Sequence, residues 1–207
     1  MDTIVIDGQE FDVVTFKGHP IGTTAKKKMP KQKPGQSEQV VCTPDNFLAA
    51  VKQRLGIQQF TWDLAATRKN SVCGPEWCYT EQDNALVQPW NLLRNVITRE
   101  PDGDHGDILR TTTERQWNWC NPPFSNLRAW VFKAWRESED FGACTAMLVP
   151  ASVGANWWKD YVEGKAYVTF LNGRLTFKGH DKPYPKDMAL LLYAPYLQGG
   201  SCVWRWK

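Results

Sequence analysis

Apolar and polar positions fall in short blocks along this chain, and their period changes from block to block. Ile4-Val5-Ile6 and Phe11-Asp12-Val13-Val14 flank Asp7-Gly8, a tight-turn pair, so residues 1–18 read as a β-hairpin. Residues 19–40 are almost devoid of apolar side chains and rich in Lys, Pro, Gly and Gln, the signature of a flexible basic linker. A helical period begins beyond residue 41: Phe47, Leu48, Val51 and Leu55 share one face. Thr43 is the expected N-cap, Pro44 the first helical residue and Gly56 the stop. Residues 60–66 then read as a strand, 77–80 as a second short one, and 85–96 as helical material. Residues 98–115 are polar and turn-rich and predict a long loop. A strand at 117–120 leads into a helix capped by Ser125 or Asn126, with Leu127, Trp130, Val131 and Ala134 as its stripe and Gly142 as its end. A uniformly apolar strand at 144–149, a helix at 156–162 and a strand at 166–170 follow. Asn172-Gly173 predicts a hairpin turn into Leu175-Thr176-Phe177, and 188–193 reads as the final strand. No internal repeat is visible.

Strands alternating with helices predict an α/β fold: a mostly parallel sheet with helices on both faces, closed at its far edge by one antiparallel hairpin. The compact domain would run over 41–207. In such sheets ligands sit beyond the carboxyl ends of the strands. Asp63-Leu64-Ala65-Ala66 and Asn121-Pro122-Pro123-Phe124 would then share one rim.

Composition adds three points. Tryptophan is heavily used, 11 in 207 residues, and large aromatics either pack or stack on planar ligands. The net charge is only +3, but Lys26, Lys27, Lys28, Lys31 and Lys33 fall together, either as a solvated linker or as a phosphate-contacting arm. No apolar run reaches membrane-spanning length and no secretory leader is recognisable, so the six cysteines are expected as reduced thiols in a cytoplasmic protein. Cys73 and Cys78 have no second ligand pair at zinc spacing, and His19, His105 and His180 sit in loop-like sequence; no metal site is expected.

The chemistry concentrates at Asn121-Pro122-Pro123-Phe124. Two prolines fix φ and hold the preceding residue extended, so the turn is stiff. It presents an amide, a free carbonyl and an aromatic face, a set suited to gripping a flat ring with polar edges. An exocyclic ring amine is a poor nucleophile because its lone pair is delocalised. Acceptance of its two N–H bonds by the Asn121 side chain and the Pro122 carbonyl would localise that pair, and Phe124 would stack on the ring.

The tetrapeptide resembles the (Asp/Asn/Ser)-Pro-Pro-(Tyr/Phe) signature of S-adenosylmethionine-dependent amino-methyltransferases. Thr43-Pro44, Trp62-Asp63-Leu64-Ala65-Ala66, Tyr79-Thr80 with Asp83, Trp119 to Ser125, and Gly173-Arg174-Leu175-Thr176-Phe177 follow in an order similar to the phage-type DNA N6-adenine methyltransferase (Dam) family, over about residues 41–194. The resemblance implies a Rossmann-like methyltransferase fold and methyl transfer from S-adenosylmethionine to adenine N6 in DNA, with the base flipped out. It implies catalytic roles for Asn121, Pro122, Pro123 and Phe124, and cofactor contacts for Thr43, Pro44, Asp63, Ala65 and Asp83. Ala65-Ala66 stands where most methyltransferases carry Gly-x-Gly, and Phe124 replaces the commoner Tyr. Thr43 and Asp63 also read as plain helix caps. DNA contacts are expected from Lys26, Lys27, Lys28, Ser125 and Arg128, with Arg99, Arg110 and Arg115 flanking the long loop. Only 57 residues separate Asp63 from Asn121, too few for a large recognition domain; short-site or relaxed sequence specificity is expected, and the protein is expected as a monomer or a homodimer. If a phage encodes the chain, the host cytoplasm is its setting. RNA adenine, a protein glutamine, or mere DNA binding without catalysis are the rival readings.

Overall fold

The computed structural model describes residues 42–92 and 116–207 in full, together with the backbone of four further strands. The chain divides into two compact units, Met1–Gln36 and Ser37–Lys207. In the first, β1 (Thr3–Ile6) pairs antiparallel with β2 (Gln9–Asp12). The Asp7-Gly8 turn, Val13-Val14 and the lysine-bearing stretch 19–40 lie outside the described residues.

In the second unit, α1 (Asp45–Leu55) buries Phe47, Leu48 and Val51, three members of its predicted face. Pro44 rather than Thr43 occupies the N-cap position, and no side chain caps it; Gly56 ends the helix at φ 66°. Two stretches depart from the expected pattern. Within 85–92 no helix forms: Pro89 cannot donate, and the Trp90 amide leaves any local ladder for a distant carboxylate. Residues 98–115 are not one long loop, because β3 (Val96–Asp102) and β4 (Gly106–Thr112) form an antiparallel ladder. The β-branched residues Val96, Ile97, Thr98, Ile108, Thr111 and Thr112 favour this pairing over the turn-like character of the polar positions.

The main sheet follows. β5 (Trp117–Cys120) leads through a 3₁₀ turn (Phe124–Asn126) into α2 (Leu127–Phe141), which Gly142 terminates at φ 73°. Asn126 holds the cap position without a side-chain bond. Next come β6 (Cys144–Pro150), α3 (Asn156–Tyr161), β7 (Tyr167–Asn172), β8 (Met188–Tyr193) and β9 (Gly200–Arg205). The strand order is β5-β6-β8-β7-β9. β5 runs parallel to β6 and β7 to β9, while β8 is antiparallel to both its neighbours. Four strands thus point one way and one the other, a mixed α/β arrangement.

The expected hairpin at the far edge does not form. Leu175 and Phe177 make no strand; they are buried beneath the sheet with α1 residues. The antiparallel strand is instead β8, inserted between β6 and β7. All six β8 residues are buried, as an inner strand requires. β8 is not the last strand either: β9 takes the edge, with the exposed alternation of a one-sided strand. Gly199 admits this last crossing, since a Cβ there would stand 2.5 Å from the Gly164 backbone.

Successive strand residues feed opposite faces. Ala146, Leu148, Leu190 and Leu192 pack with Phe47 and Val51 of α1. Met147, Val149, Ala189 and Leu191 pack with Trp130 and Val131 of α2 and Trp158 of α3. Six tryptophans are buried (Trp90, Trp117, Trp119, Trp130, Trp158 and Trp206), so packing accounts for much of the unusual usage. All six cysteines are free. Among the described residues no helix is long and apolar enough to cross a membrane.

Candidate active site

The 60–66 segment joins the sheet without being a regular strand. Thr61 N donates to Trp117 O (2.9 Å), Trp119 N to Trp62 O (2.8 Å) and Leu64 N to Trp119 O (2.9 Å). On its other side Asp63 N donates to Trp77 O, Tyr79 N to Asp63 O (both 2.9 Å) and Ala66 N to Tyr79 O (3.1 Å). Both expected strands, 60–66 and 77–80, are therefore reduced to bridges centred on Asp63, parallel to Cys78 and Trp119. The pairing brings the chain beyond Leu64 and the chain beyond Cys120 out of the sheet side by side.

A cleft opens between them. It is lined by Leu64, Ala65, Ala66 and Thr67 on one side and by Asn121 and Pro123 on the other. Residues of the 79–85 loop, Glu81 and Asn84 among them, together with Asn70 and Trp130 complete it. Asn84 adopts φ 51°, a conformation asparagine tolerates better than most residues. The small Ala65 and Ala66 side chains leave their backbone open to close approach.

The geometry at the motif is rigid. Pro123 sits at φ −60° and ψ 122°, extended, as the double proline predicts. Pro122 is buried, and the Asn121 side-chain oxygen lies beneath the surface at the cleft wall. Phe124 is half-buried, its ring held edge-on by Tyr184 at 5.7 Å between centroids. Burial pushes the Cys120 thiol well above its usual range, so no thiolate nucleophile stands behind the motif.

Asp63 is 3 % exposed and does not line the cleft. Its carboxylate accepts from Val72 N at 3.0 Å and Ala65 N at 3.4 Å, which pins the loop between them. Burial raises its pKa to about 6, against the lowering effect of those two amides. Asp83 also stands back: its carboxylate accepts from Thr80 N (2.8 Å) and Thr80 Oγ1 (2.7 Å), and these bonds hold its pKa below the usual carboxylate range. The neighbouring Glu81 is the acid that lines the cleft, a residue the sequence reading missed because nothing in its spacing distinguishes it.

Thr43 and Pro44 lie off the cleft lining, at the start of α1. Thr43 Oγ1 is buried without a hydrogen-bond partner among the described residues. Of the five expected cofactor residues only Ala65 lines the cleft; of the expected catalytic residues, Asn121 and Pro123 do. Ser125 and Arg128 are exposed at the head of α2. The Arg128 guanidinium reaches Tyr161 Oη at 3.4 Å and faces its ring at 6.0 Å, towards α3. Lys26, Lys27, Lys28 and the side chains of Arg99, Arg110 and Arg115 lie outside the described residues.

The sequence reading also missed a buried anchor behind the cleft. Glu137 accepts Trp90 N at 2.9 Å and Lys133 Nζ at 2.5 Å; Asn118 Nδ2 donates to Trp90 O at 2.7 Å. Trp90 Nε1 in turn donates to Ala85 O at 2.8 Å, so α2 and β5 both hold the wall that carries Ala85. Among the described residues no cluster of three His, Cys, Asp or Glu side chains is placed to hold a metal ion.

The family model described as DNA N-6-adenine-methyltransferase (Dam) matches residues 31–189, which is more than half the chain. No curated protein matches the chain.

Proposed function

The chain belongs to this DNA N-6-adenine-methyltransferase family, and from that premise we propose that its cleft binds S-adenosylmethionine and that Asn121-Pro122-Pro123-Phe124 presents a flipped-out adenine to it. The observation that carries this reading is the shared lining: Asn121 and Pro123 bound the same cleft as Leu64, Ala65, Ala66 and Thr67. The donor set fits the cofactor. Glu81 suits vicinal hydroxyls, Asn70, Asn84 and the Ala65-Ala66 backbone suit polar edges, and Leu64, Ala85 and Trp130 suit a planar ring. Bound there, S-adenosylmethionine supplies an electrophilic methyl group.

The protein's part is positioning. Asn121 Oδ1 accepts one N–H of the adenine amine and the Pro122 carbonyl accepts the other, which localises the nitrogen lone pair and aims it into the cleft. The stiffness of the two prolines fixes both acceptors before substrate arrives, so most of the acceleration comes from alignment. Phe124 stacks on the base, and its edge-on contact with Tyr184 holds the ring ready. Flipping costs a few kcal/mol, within the range that stacking and edge hydrogen bonds return. Asp63 and Asp83 act through the backbone, by shaping the loops that carry Ala65 and Glu81. The Rossmann-like methyltransferase fold belongs to the same proposal: the two faces of the sheet are covered and the cleft opens beyond the carboxyl end of β5.

Incubation with labelled S-adenosylmethionine and unmethylated DNA, RNA and protein tests the reading. Label in DNA adenine supports it, and Asn121→Ala should abolish transfer while cofactor binding stays within a few-fold. Label only in RNA or protein would overturn the substrate; retention of DNA with no label anywhere would overturn the activity.

A further inference from the structure

We propose that Lys182-Pro183-Tyr184-Pro185-Lys186 is a phosphate clamp that grips the DNA backbone on either side of the target nucleotide, an inference that rests on DNA being the substrate. The topology places this segment at the active rim. β7 runs parallel to β5 by way of β6 and β8, so its end at Asn172 lies on the edge where β5 delivers Asn121. β8 runs the opposite way, so its first residue, Met188, opposite Pro150, starts on that same edge. The connection between them, 173–187, therefore spans the rim.

The segment is anchored, not dangling. Lys178 N donates to Cys42 O at 2.9 Å and Lys178 Nζ meets Asp45 Oδ1 at 2.6 Å, which ties its start to α1. Tyr184 N donates to Leu175 O at 2.7 Å. The Tyr184 ring is wedged between Phe177 at 5.6 Å and Phe124 at 5.7 Å, both edge-on. The middle residue of the segment thus touches the aromatic residue of the catalytic motif.

The flanks are built differently. Lys182 and Lys186 are exposed, and neither has an ion partner among the described residues. The acids nearby are Asp181, which is exposed, and Asp187, which faces Arg174 at 3.8 Å. Each lysine is separated from Tyr184 by a proline, which fixes φ and keeps the residue before it extended. The two lysines lie four positions apart, on opposite sequence sides of Tyr184, and the chain bends at each of them. Two exposed cations, one on each side in sequence of a tyrosine that touches Phe124, match phosphates on the two sides of one extruded nucleotide.

The test is a salt titration of DNA binding by the full chain, Lys182→Gln/Lys186→Gln against the parent. The slope of log affinity on log salt should flatten by about 1.8, at roughly 0.9 per lost phosphate contact on a duplex. The Lys182→Arg/Lys186→Arg variant should restore the slope, and S-adenosylmethionine affinity should not move in either. Binding and transfer are separate readouts. A flattened slope supports the clamp even where the parent transfers no methyl to DNA, a result that would overturn the activity alone. An unchanged slope in a chain that does methylate DNA would overturn the clamp and keep the activity.

Discussion

Asp63 shows how one side chain serves the site without touching it. Its two oxygens hold the amides of Ala65 and Val72, and the loop they pin is one wall of the cleft. Burial makes ionisation expensive, so its folded pKa rises to about 6 from the ordinary 3.8. The sign follows from which state binds the proton more tightly. Well below pH 3.8 both states are protonated. Between pH 4 and 6 the unfolded chain ionises while the folded one resists, so the contribution of Asp63 to stability falls as pH rises. At about 1.4 kcal/mol per unit, the fall is on the order of 3 kcal/mol. Asp63→Asn cannot titrate, so its stability relative to the parent should improve by 1–3 kcal/mol, an order-of-magnitude figure, between pH 4 and 7. Denaturant unfolding of the pair at four pH values checks this, and a gap that stays flat would mean that Asp63 titrates normally.

At the scale of elements, local pattern and distant pairing separate cleanly. The faces of α1 and α2 and the strands β5 and β6 were legible because each is specified within its own dozen residues: Phe47, Leu48 and Val51, or Leu127, Trp130, Val131 and Ala134, recur at helical spacing. The position of β8 was not legible, because nothing in Met188 to Tyr193 names β6 and β7 as its neighbours. Residues 85–92 misled for a related reason. Ala85, Leu86, Trp90 and Leu92 are spaced acceptably for a helix, yet the Trp90 amide is satisfied by Glu137, 47 positions away. The motif at Asn121 was readable as a unit, whereas Glu81 and the Lys182–Lys186 clamp became visible only once the chain was folded. The Glu137 anchor makes the point testable. Glu137→Ala leaves a buried amide unpaired and should cost about 2–3 kcal/mol. Because the freed segment carries Ala85, cofactor affinity should weaken by roughly tenfold, which is about 1.4 kcal/mol, with a smaller loss in kcat. Glu137→Gln keeps an acceptor for Trp90 and should recover most of the affinity. Denaturant curves with calorimetric cofactor titration separate the two effects. Unchanged affinity in a destabilised Glu137→Ala chain would confine Glu137 to the core.

For the whole molecule, the division at Gln36 sets what the N-terminal unit can be asked to do. The core clusters, the cleft and Asn121 all belong to the second unit. The five lysines at 26, 27, 28, 31 and 33 fall in the first, and the net charge of +3 leaves little general attraction for DNA without them. If these lysines form a phosphate-contacting arm, the division of labour is catalysis in one unit and non-specific affinity in the other. Deletion of Met1–Gln36 should then leave a single cooperative unfolding transition and cofactor binding intact. DNA affinity should drop, and the salt slope should flatten by about 0.9 for each lysine that contacts a phosphate. The effect adds to that of the Lys182 and Lys186 variants, because the contacts are independent. Salt titrations of the truncated chain, with and without the lysine substitutions, distinguish the arm from a passive linker: a linker leaves the slope where the parent has it, and an arm flattens it in both backgrounds by the same amount.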